Sequence, residues 1–323
     1  MTERTLTVRV ARIARQTPEI LSFELAHPAG RELPSYQAGA HIDVHMPGGF
    51  SRQYSLARAH GEASASAYLI GVKREAVSRG GSASMHARLR EGDLIAISAP
   101  RNTFPIRPEA RRHLLLAGGI GMTPLLAMAQ ALAREGADFE LCLFVRGEEH
   151  LAFAEALRSP LLAPHVRLHF DTGEAGEGGR RIDLRQLLAE RRPGTHLYVC
   201  GPGGFMAAVR EAASHWPEEA LHAEYFAAPD GAAVAGGRPF TLRLARRGIH
   251  VPVAADQTAV DALHAFGIDI PVSCEQGLCG TCVVGADGAG AEHRDFCLTG
   301  SERHAKVALC CSRAKGDELV LDL

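Results

Sequence analysis

The chain has 323 residues, 46% hydrophobic and 22% charged, with 35 basic against 37 acidic side chains and a formal net charge of −2. That length predicts two or three domains with separate cores, and the even charge balance speaks against a nucleic-acid or anionic-membrane surface. Met1 to Thr5 carries no signal-type apolar core, and runs such as Leu114 to Ile120 fall far short of the ~20 residues that span a bilayer, so the expected location is cytoplasmic.

Residues 1–106 read as β-rich. Leu6 to Val10, Ile20 to Leu25 and His41 to Met46 alternate apolar and polar side chains, and the third run ends in a Pro47-Gly48-Gly49 turn. Short strands at this spacing predict a small antiparallel barrel. The pattern changes near Arg111. His113 to Ala117 is a continuous apolar run, as in a strand buried on both faces. Alternating segments follow: helix from Pro124 to about Glu135, strand Phe139 to Val145, helix Leu151 to Leu157, strand Val166 to Phe170, helix Ile182 to Glu190, strand His196 to Cys200. This order predicts an α/β doubly wound parallel sheet over residues 107–227. Residues 228–237 are Ala- and Gly-rich and read as a linker. Residues 238–323 form the third segment. Phe240 to Ala245 and Ile249 to Ala254 flank a hairpin turn at Arg246-Arg247-Gly248, and Thr258 with Asp261 reads as a helix-capping pair answered by Gly267 at the far end.

The most specific pattern is Cys274-x4-Cys279-x2-Cys282 with Cys310 lying 28 positions on. This is the plant-type spacing for a 2Fe–2S cluster held by four thiolates. Gly277 and Gly280 suit a loop whose backbone must come close to the cluster. A zinc site on Cys279-x-x-Cys282 is the weaker reading, because a second such pair is missing and Cys274 would go unused. Cys310 and Cys311 are adjacent. If that segment is extended their thiols face opposite ways, so Cys310 is taken as the ligand and Cys311 as a packed thiol. Cys297 reads as structural.

Gly118-Gly119-Ile120-Gly121-Met122-Thr123-Pro124 follows a buried strand and opens a helix, a place where free amides meet a pyrophosphate. Thr123 suits the N-cap and Pro124 the first helical position. Gly201-Pro202 follows Cys200 at a strand's C-terminal end, where ligands of open α/β sheets bind. Asp171 ends another strand, placed to take a ribose diol and repel a 2′-phosphate, which favours NADH over NADPH. In the barrel segment, Arg52 and the Arg79 to Ser84 stretch can hold a phosphate.

Taken in order, Arg52-x-Tyr54-Ser55, Gly80-Gly81-Ser82-x-Ser84, the Gly118 to Pro124 motif, Cys200-Gly201-Pro202 and the four cysteines resemble the phthalate dioxygenase reductase family, within the ferredoxin–NADP reductase superfamily. The resemblance covers essentially the whole chain. It implies an FMN-binding β-barrel, an NAD-binding α/β domain and a C-terminal β-grasp 2Fe–2S ferredoxin domain. It implies that Arg52, Gly81, Ser82 and Ser84 hold the FMN phosphate, and that Tyr54, Ser55, Gly71, Val72 and Lys73 line the flavin. Gly119, Gly121, Thr123, Asp171, Gly201 and Pro202 would bind NADH. Ser55, Cys200, Glu224 and Phe226 would be the catalytic residues, with Phe226 shielding the isoalloxazine and Tyr225 the other candidate for that role.

NADH delivers two electrons as hydride, whereas a 2Fe–2S cluster accepts one, so a flavin must stand between them. A plant-type cluster near about −400 mV feeds a Rieske centre at about −150 to +300 mV downhill. The expected function is the reductase component of a Rieske-type aromatic oxygenase or O-demethylase, a monomer meeting its partner transiently. The alternatives are a reductase for a diiron monooxygenase, a stand-alone NADH:flavin or acceptor reductase, and a non-enzymatic redox sensor. Domain order argues against the first, the cluster against the second, and the flavin and nucleotide motifs against the third.

Overall fold

The computed structural model describes residues 5–46, 50–60, 65–75, 80–170, 183–227 and 236–323. The expected Pro47-Gly48-Gly49 turn, Arg79, Asp171, Ile182 and linker residues 228–235 lie outside these. The chain divides into two compact units, Met1–Phe226 and Ala227–Leu323.

The first unit opens with β1 (Thr5–Arg15), β2 (Ile20–Ala26), β3 (His41–Met46), β4 (Phe50–Ser55), β5 (Ala67–Lys73), α1 (Gly81–Arg88) and β6 (Leu94–Ser98). The six strands form one sheet in the order β4-β3-β6-β1-β2-β5, antiparallel throughout. A bridge between Leu56 and Ile70 brings its two edges together, which leaves a nearly closed barrel. Alternation along the strands puts Val8, Val10, Phe23, Leu25, Ile42, Val44, Ile70 and Val72 into one core.

The rest of the unit contains β7 (Arg112–Gly118), α2 (Met122–Glu135), β8 (Asp138–Val145), α3 (Ala154–Leu157), β9 (Val166–Phe170), α4 (Leu184–Leu188), β10 (Thr195–Cys200), α5 (Gly203–Ala212) and β11 (Leu221–Glu224). The strands form a parallel sheet in the order β11-β10-β7-β8-β9. Successive residues of β7 serve opposite cores. Leu115 and Ala117 pack with Leu125, Leu126 and Ala129 of α2, whereas Leu114 and Leu116 pack with Leu188 of α4 and Met206 and Val209 of α5. The continuous apolar run is thus explained: both faces of the strand are covered.

Two helix starts differ from the expectation. A 3-10 turn over Gly119–Gly121 runs straight into α2, which therefore begins at Met122. Thr123 is not its N-cap; its hydroxyl donates back to the Ile120 carbonyl at 3.2 Å. Pro124 falls within the first turn rather than at its first position, and its missing N–H costs nothing there. The expected helix from Leu151 to Leu157 shrinks to Ala154–Leu157, because Phe153 takes a left-handed conformation at φ 54°.

The second unit is built from β12 (Phe240–Leu244), β13 (Ile249–Val253), α6 (Ala259–Ala265), β14 (Val283–Gly285), β15 (Ala291–Glu292), β16 (Lys306–Ala308), β17 (Arg313–Ala314) and β18 (Glu318–Leu321). β12 and β13 form the expected hairpin, and β18 adds parallel to β12. Val260 and Leu263 of α6 pack on Leu242, Val251 and Leu319 of this sheet, a β-grasp arrangement with its own core. Thr258 and Asp261 form a reciprocal capping box, and Gly267 closes the other end at φ 74°. Among the described residues no helix is long and apolar enough to cross a membrane.

Candidate functional site

The C-terminal ends of β7 to β10 open onto a cavity of about 1010 Å³ lined by Gly118, Gly119, Ile120, Pro202 and Phe205, with Ile20 and Lys73 of the barrel on its other side. This is the edge of a parallel sheet where nucleotides bind, and the volume suits a dinucleotide. The two glycine segments meet there backbone to backbone. A Cβ on Gly121 would stand 2.3 Å from the Cys200 carbonyl oxygen and 2.6 Å from the Gly201 nitrogen, and one on Gly201 would stand 3.0 Å from the Gly118 Cα. Glycine is required here for close approach.

Sequence reasoning missed several lining residues. Phe144 lies 5.1 Å from Phe205 and 4.8 Å from His169, ring centre to ring centre, which gives the cavity an aromatic wall. Arg146 also lines it and pairs with Glu19 of the barrel at 3.0 Å. The available signal was position, since Phe144, Arg146 and His169 all lie at or beside the C-terminal ends of strands.

The barrel motifs converge on the same edge. A Cβ on Gly71 would meet Thr123 Cγ2 at 2.9 Å and Ile120 Cδ1 at 3.2 Å, so β5, with Val72 and Lys73, lies against the loop that opens α2. Arg52 crosses the start of α1: a Cβ on Gly81 would stand 2.8 Å from Arg52 Cγ. Ser82 Oγ accepts from the Glu75 N–H at 3.2 Å, and Ser84 is buried in the same helix. The guanidinium and the first amides of α1 make a cradle suited to a phosphate. Burial raises the Tyr54 hydroxyl above its ordinary range, against the pull of Arg52.

Ser55 links the barrel to the parallel sheet. Its hydroxyl donates to Glu224 Oε2 at 2.9 Å, across 169 positions of chain. Glu224 lies opposite Cys200 in the β10–β11 register. Burial pushes the Glu224 carboxyl up to about 7, partly offset by the Ser55 hydroxyl. Burial, and then the neighbouring Glu224, holds the Cys200 thiol well above its ordinary range. Ser55, Cys200 and Glu224 are thus one constellation. Phe226 follows β11 and is 43% exposed, whereas the Tyr225 hydroxyl accepts from Arg210 at 3.0 Å.

In the second unit, the four thiols group two and two. Cys274 lies beside Cys279, and Cys282 beside Cys310, each close enough to shift its neighbour's titration. Among the described residues no three donors converge on a single ion. Two pairs of soft donors suit a two-iron cluster better than one zinc. The neighbouring Cys274 thiol holds the Cys279 thiol below its ordinary range, helped by the Thr281 side chain and local backbone amides, while Cys274 and Cys282 are driven up. Backbone N–H groups of Gln276, Leu278 and Cys279 point at Cys274 Sγ, each at 3.4 Å. The Gly277 N–H donates to Cys310 Sγ at 3.2 Å, from a left-handed residue at φ 72°. Amides aimed at sulfur are the surroundings an anionic cluster needs.

The premise used to separate Cys310 from Cys311 fails. The segment Leu309 to Cys311 is a turn, not extended chain. Cys297 is half-buried beside Asp295, its Sγ 3.9 Å from the carboxylate, and burial pushes its thiol up to about 12.

Comparison with known proteins agrees with this geometry. The model of the 2Fe-2S iron-sulfur cluster binding domain matches residues 242–315, and that of the N-terminal domain of the dimethylamine monooxygenase subunit DmmA-like proteins matches residues 95–219. The vanillate O-demethylase oxidoreductase of a Pseudomonas species is 47% identical over 309 residues, covering 94% of this chain and 96% of that protein. The phthalate dioxygenase reductase of Burkholderia cepacia is 38% identical over 319 residues, covering 98% and 97%. A solved phthalate dioxygenase reductase, described as a modular structure for electron transfer from pyridine nucleotides to 2Fe–2S, superposes with a TM-score of 0.70 at 37% identity over 99% of this chain and 98% of that one. An intact type IV self-sufficient cytochrome P450 monooxygenase gives a TM-score of 0.86 at 37% identity, and the chain spans 41% of its length. The chain belongs to the phthalate dioxygenase reductase family, the oxidoreductases that serve as reductase components of oxygenase and demethylase systems.

Proposed function

We propose that this chain takes hydride from NADH at the barrel–sheet edge and exports single electrons, through Cys274, Cys279, Cys282 and Cys310, to a separate oxygenase. The observation that carries the reading is the Ser55–Glu224 hydrogen bond beside buried Cys200, which joins the barrel motif to the parallel sheet at the ends of β10 and β11. When bound, FMN converts a two-electron donor into single-electron steps that a 2Fe–2S cluster can accept. The barrel is assigned to residues 1–106, the nucleotide domain to 107–227, the linker to 228–237 and the ferredoxin domain to 238–323.

Arg52 and the amides of Gly81, Ser82 and Ser84 hold the FMN phosphate in this reading. Tyr54, Ser55, Gly71, Val72 and Lys73 line the flavin. Gly119, Gly121, Thr123, Gly201 and Pro202 seat the dinucleotide, Asp171 selects the unphosphorylated ribose, and Phe226 covers the flavin until nicotinamide enters. With its carboxyl raised to about 7, Glu224 is partly protonated at neutrality and accepts the Ser55 hydroxyl's hydrogen bond, so the pair orients Ser55 Oγ with less negative charge beside the hydride path than an ordinary carboxylate would place there. Cys200 stays a neutral thiol for the same electrostatic reason.

The relatives named for vanillate and phthalate, together with the low potential of plant-type clusters, support a Rieske-type acceptor for aromatic substrates. The heme-dependent oxidative N-demethylase beta subunit of Ectopseudomonas mendocina, 40% identical over 320 residues, favours a haem acceptor as the second reading. The encounter is transient, the chain monomeric and the location cytoplasmic. An anaerobic NADH titration followed by acid release of the flavin tests the central claim. Flavin and cluster absorbance should both bleach and FMN should be released; flavin bleaching without any cluster band would remove electron export, and FAD would remove the FMN assignment.

Glu224 gives a pH test. Its carboxyl is raised from about 4.5 to about 7, so the fold favours the protonated form. That stabilisation is fully present below pH 4.5 and is lost as pH rises through 7. Glu224→Gln stays neutral, so it should match wild type at pH 4.5 and exceed it at pH 8, by on the order of 3 kcal/mol. It should also flatten any pH dependence of flavin reduction near neutrality. Equal thermal midpoints at pH 8 would reject the raised carboxyl.

A further inference from the structure

Cys310 and Cys311 are both buried, 2% and 3% exposed. β16 ends at Ala308, and the chain then turns, with the Ser312 N–H donating to the Ala308 carbonyl at 3.1 Å. The turn brings both thiols to one glycine of the cluster loop. Cys310 Sγ accepts from the Gly277 N–H at 3.2 Å, and Cys311 Sγ lies 2.6 Å from where a Cβ on Gly277 would stand. Cys311 packs in the core of this unit, and its polar contacts are weak: its sulfur lies 3.8 Å from the Ala308 carbonyl oxygen and 3.9 Å from Ser312 Oγ.

We propose that Cys311 is an alternative ligand of the cluster, able to take the iron coordinate that Cys310 fills. The proposal rests on the four-thiolate reading given above. In the exchange, the Cys311 S–H bond and the iron–Cys310 bond break, while an iron–Cys311 bond and a Cys310 S–H bond form. One proton passes from Cys311 to Cys310, no electron moves, and the iron oxidation states are unchanged. A second thiol on the same turn is present at high effective concentration, so a ligand bond that opens is recaptured before iron is lost.

The test uses the full chain, prepared anaerobically with iron and sulfide, as wild type, Cys310→Ser, Cys310→Ala, Cys311→Ser and the double variant Cys310→Ala/Cys311→Ser. Iron and acid-labile sulfide are measured per flavin, with visible circular dichroism and electron paramagnetic resonance after reduction. Both Cys310 variants should keep about two irons per chain with an all-thiolate spectrum. Cys311→Ser should match wild type, and the double variant should fall below about a tenth of its iron. Cys310→Ala as iron-poor as the double variant overturns the proposal, as does an oxygen-ligated spectrum in Cys310→Ser. A Cys310→Ala chain whose cluster domain fails to fold counts the same way, because metal binding and folding are linked and a competent Cys311 would supply both. A wild-type chain with flavin but no cluster instead overturns the four-thiolate reading itself.

Discussion

Cys282→Ser should leave NADH-driven dye reduction within about twofold of wild type and cut electron delivery to an oxygenase by at least about a hundredfold. Cys282 is buried and pairs with Cys310 in the second half of the thiol set. Serine keeps the shape but offers a hard oxygen where iron–sulfur chemistry needs a soft thiolate. The two effects separate because the motifs for flavin and nucleotide all lie in Met1–Phe226, whereas the thiol set lies in Ala227–Leu323 with its own core. The measurement is paired: ferricyanide reduction by NADH, which needs the flavin alone, and oxygenase-coupled turnover, which needs the cluster. Parallel loss of both activities would mean that the cluster supports the flavin site, and the linear route through the thiols would be wrong. Oxygenase turnover at the wild-type rate would remove the cluster from the route altogether.

The chemistry of this chain is legible where it is local in sequence. The cysteine run fixes a loop through spacing alone, the Thr258–Asp261 pair caps its helix as read, and β7 declares burial on both faces by its unbroken apolar run. What sequence does not carry is proximity across the fold. Ser55 and Glu224 are 169 positions apart, and only closure of the barrel against β10 and β11 makes them partners. The aromatic wall of Phe144, His169 and Phe205 arises in the same way from three elements. Short-range errors had a different source. The α2 start was set by reading Thr123 as a cap, but the preceding 3-10 turn had already satisfied the helix entry. The choice between Cys310 and Cys311 assumed extended chain, whereas residues 309–311 form a turn, so backbone alternation does not separate the two thiols there. In each case the neighbouring backbone departed from the conformation that the local reading assumed.

Gly121→Ala should slow flavin reduction by NADH about a hundredfold while FMN content stays at the wild-type level. Gly121 has φ −59°, an ordinary helical value, so alanine meets no conformational penalty there. The obstacle is steric: its methyl group would stand 2.3 Å from the Cys200 carbonyl oxygen and 2.4 Å from the Cys200 carbonyl carbon. Both are backbone atoms of a central strand and cannot rotate aside, so the glycine loop or the Cys200-Gly201 segment must move. Overpacking of this kind costs roughly 1–3 kcal/mol of stability, and a displacement of about 1 Å at the nicotinamide end is enough for a hundredfold loss of rate. Gly119→Ala is the control. Gly119 sits at φ 50° with nothing within 4 Å of its Cβ position, so alanine there carries only the left-handed penalty of about 1–2 kcal/mol and no clash. Stopped-flow reduction of bound FMN should therefore rank wild type, then Gly119→Ala, then Gly121→Ala. If Gly119→Ala were the slower of the two, the glycine motif would act through loop conformation at the pyrophosphate, and the backbone contact with Cys200 would not be what positions the dinucleotide.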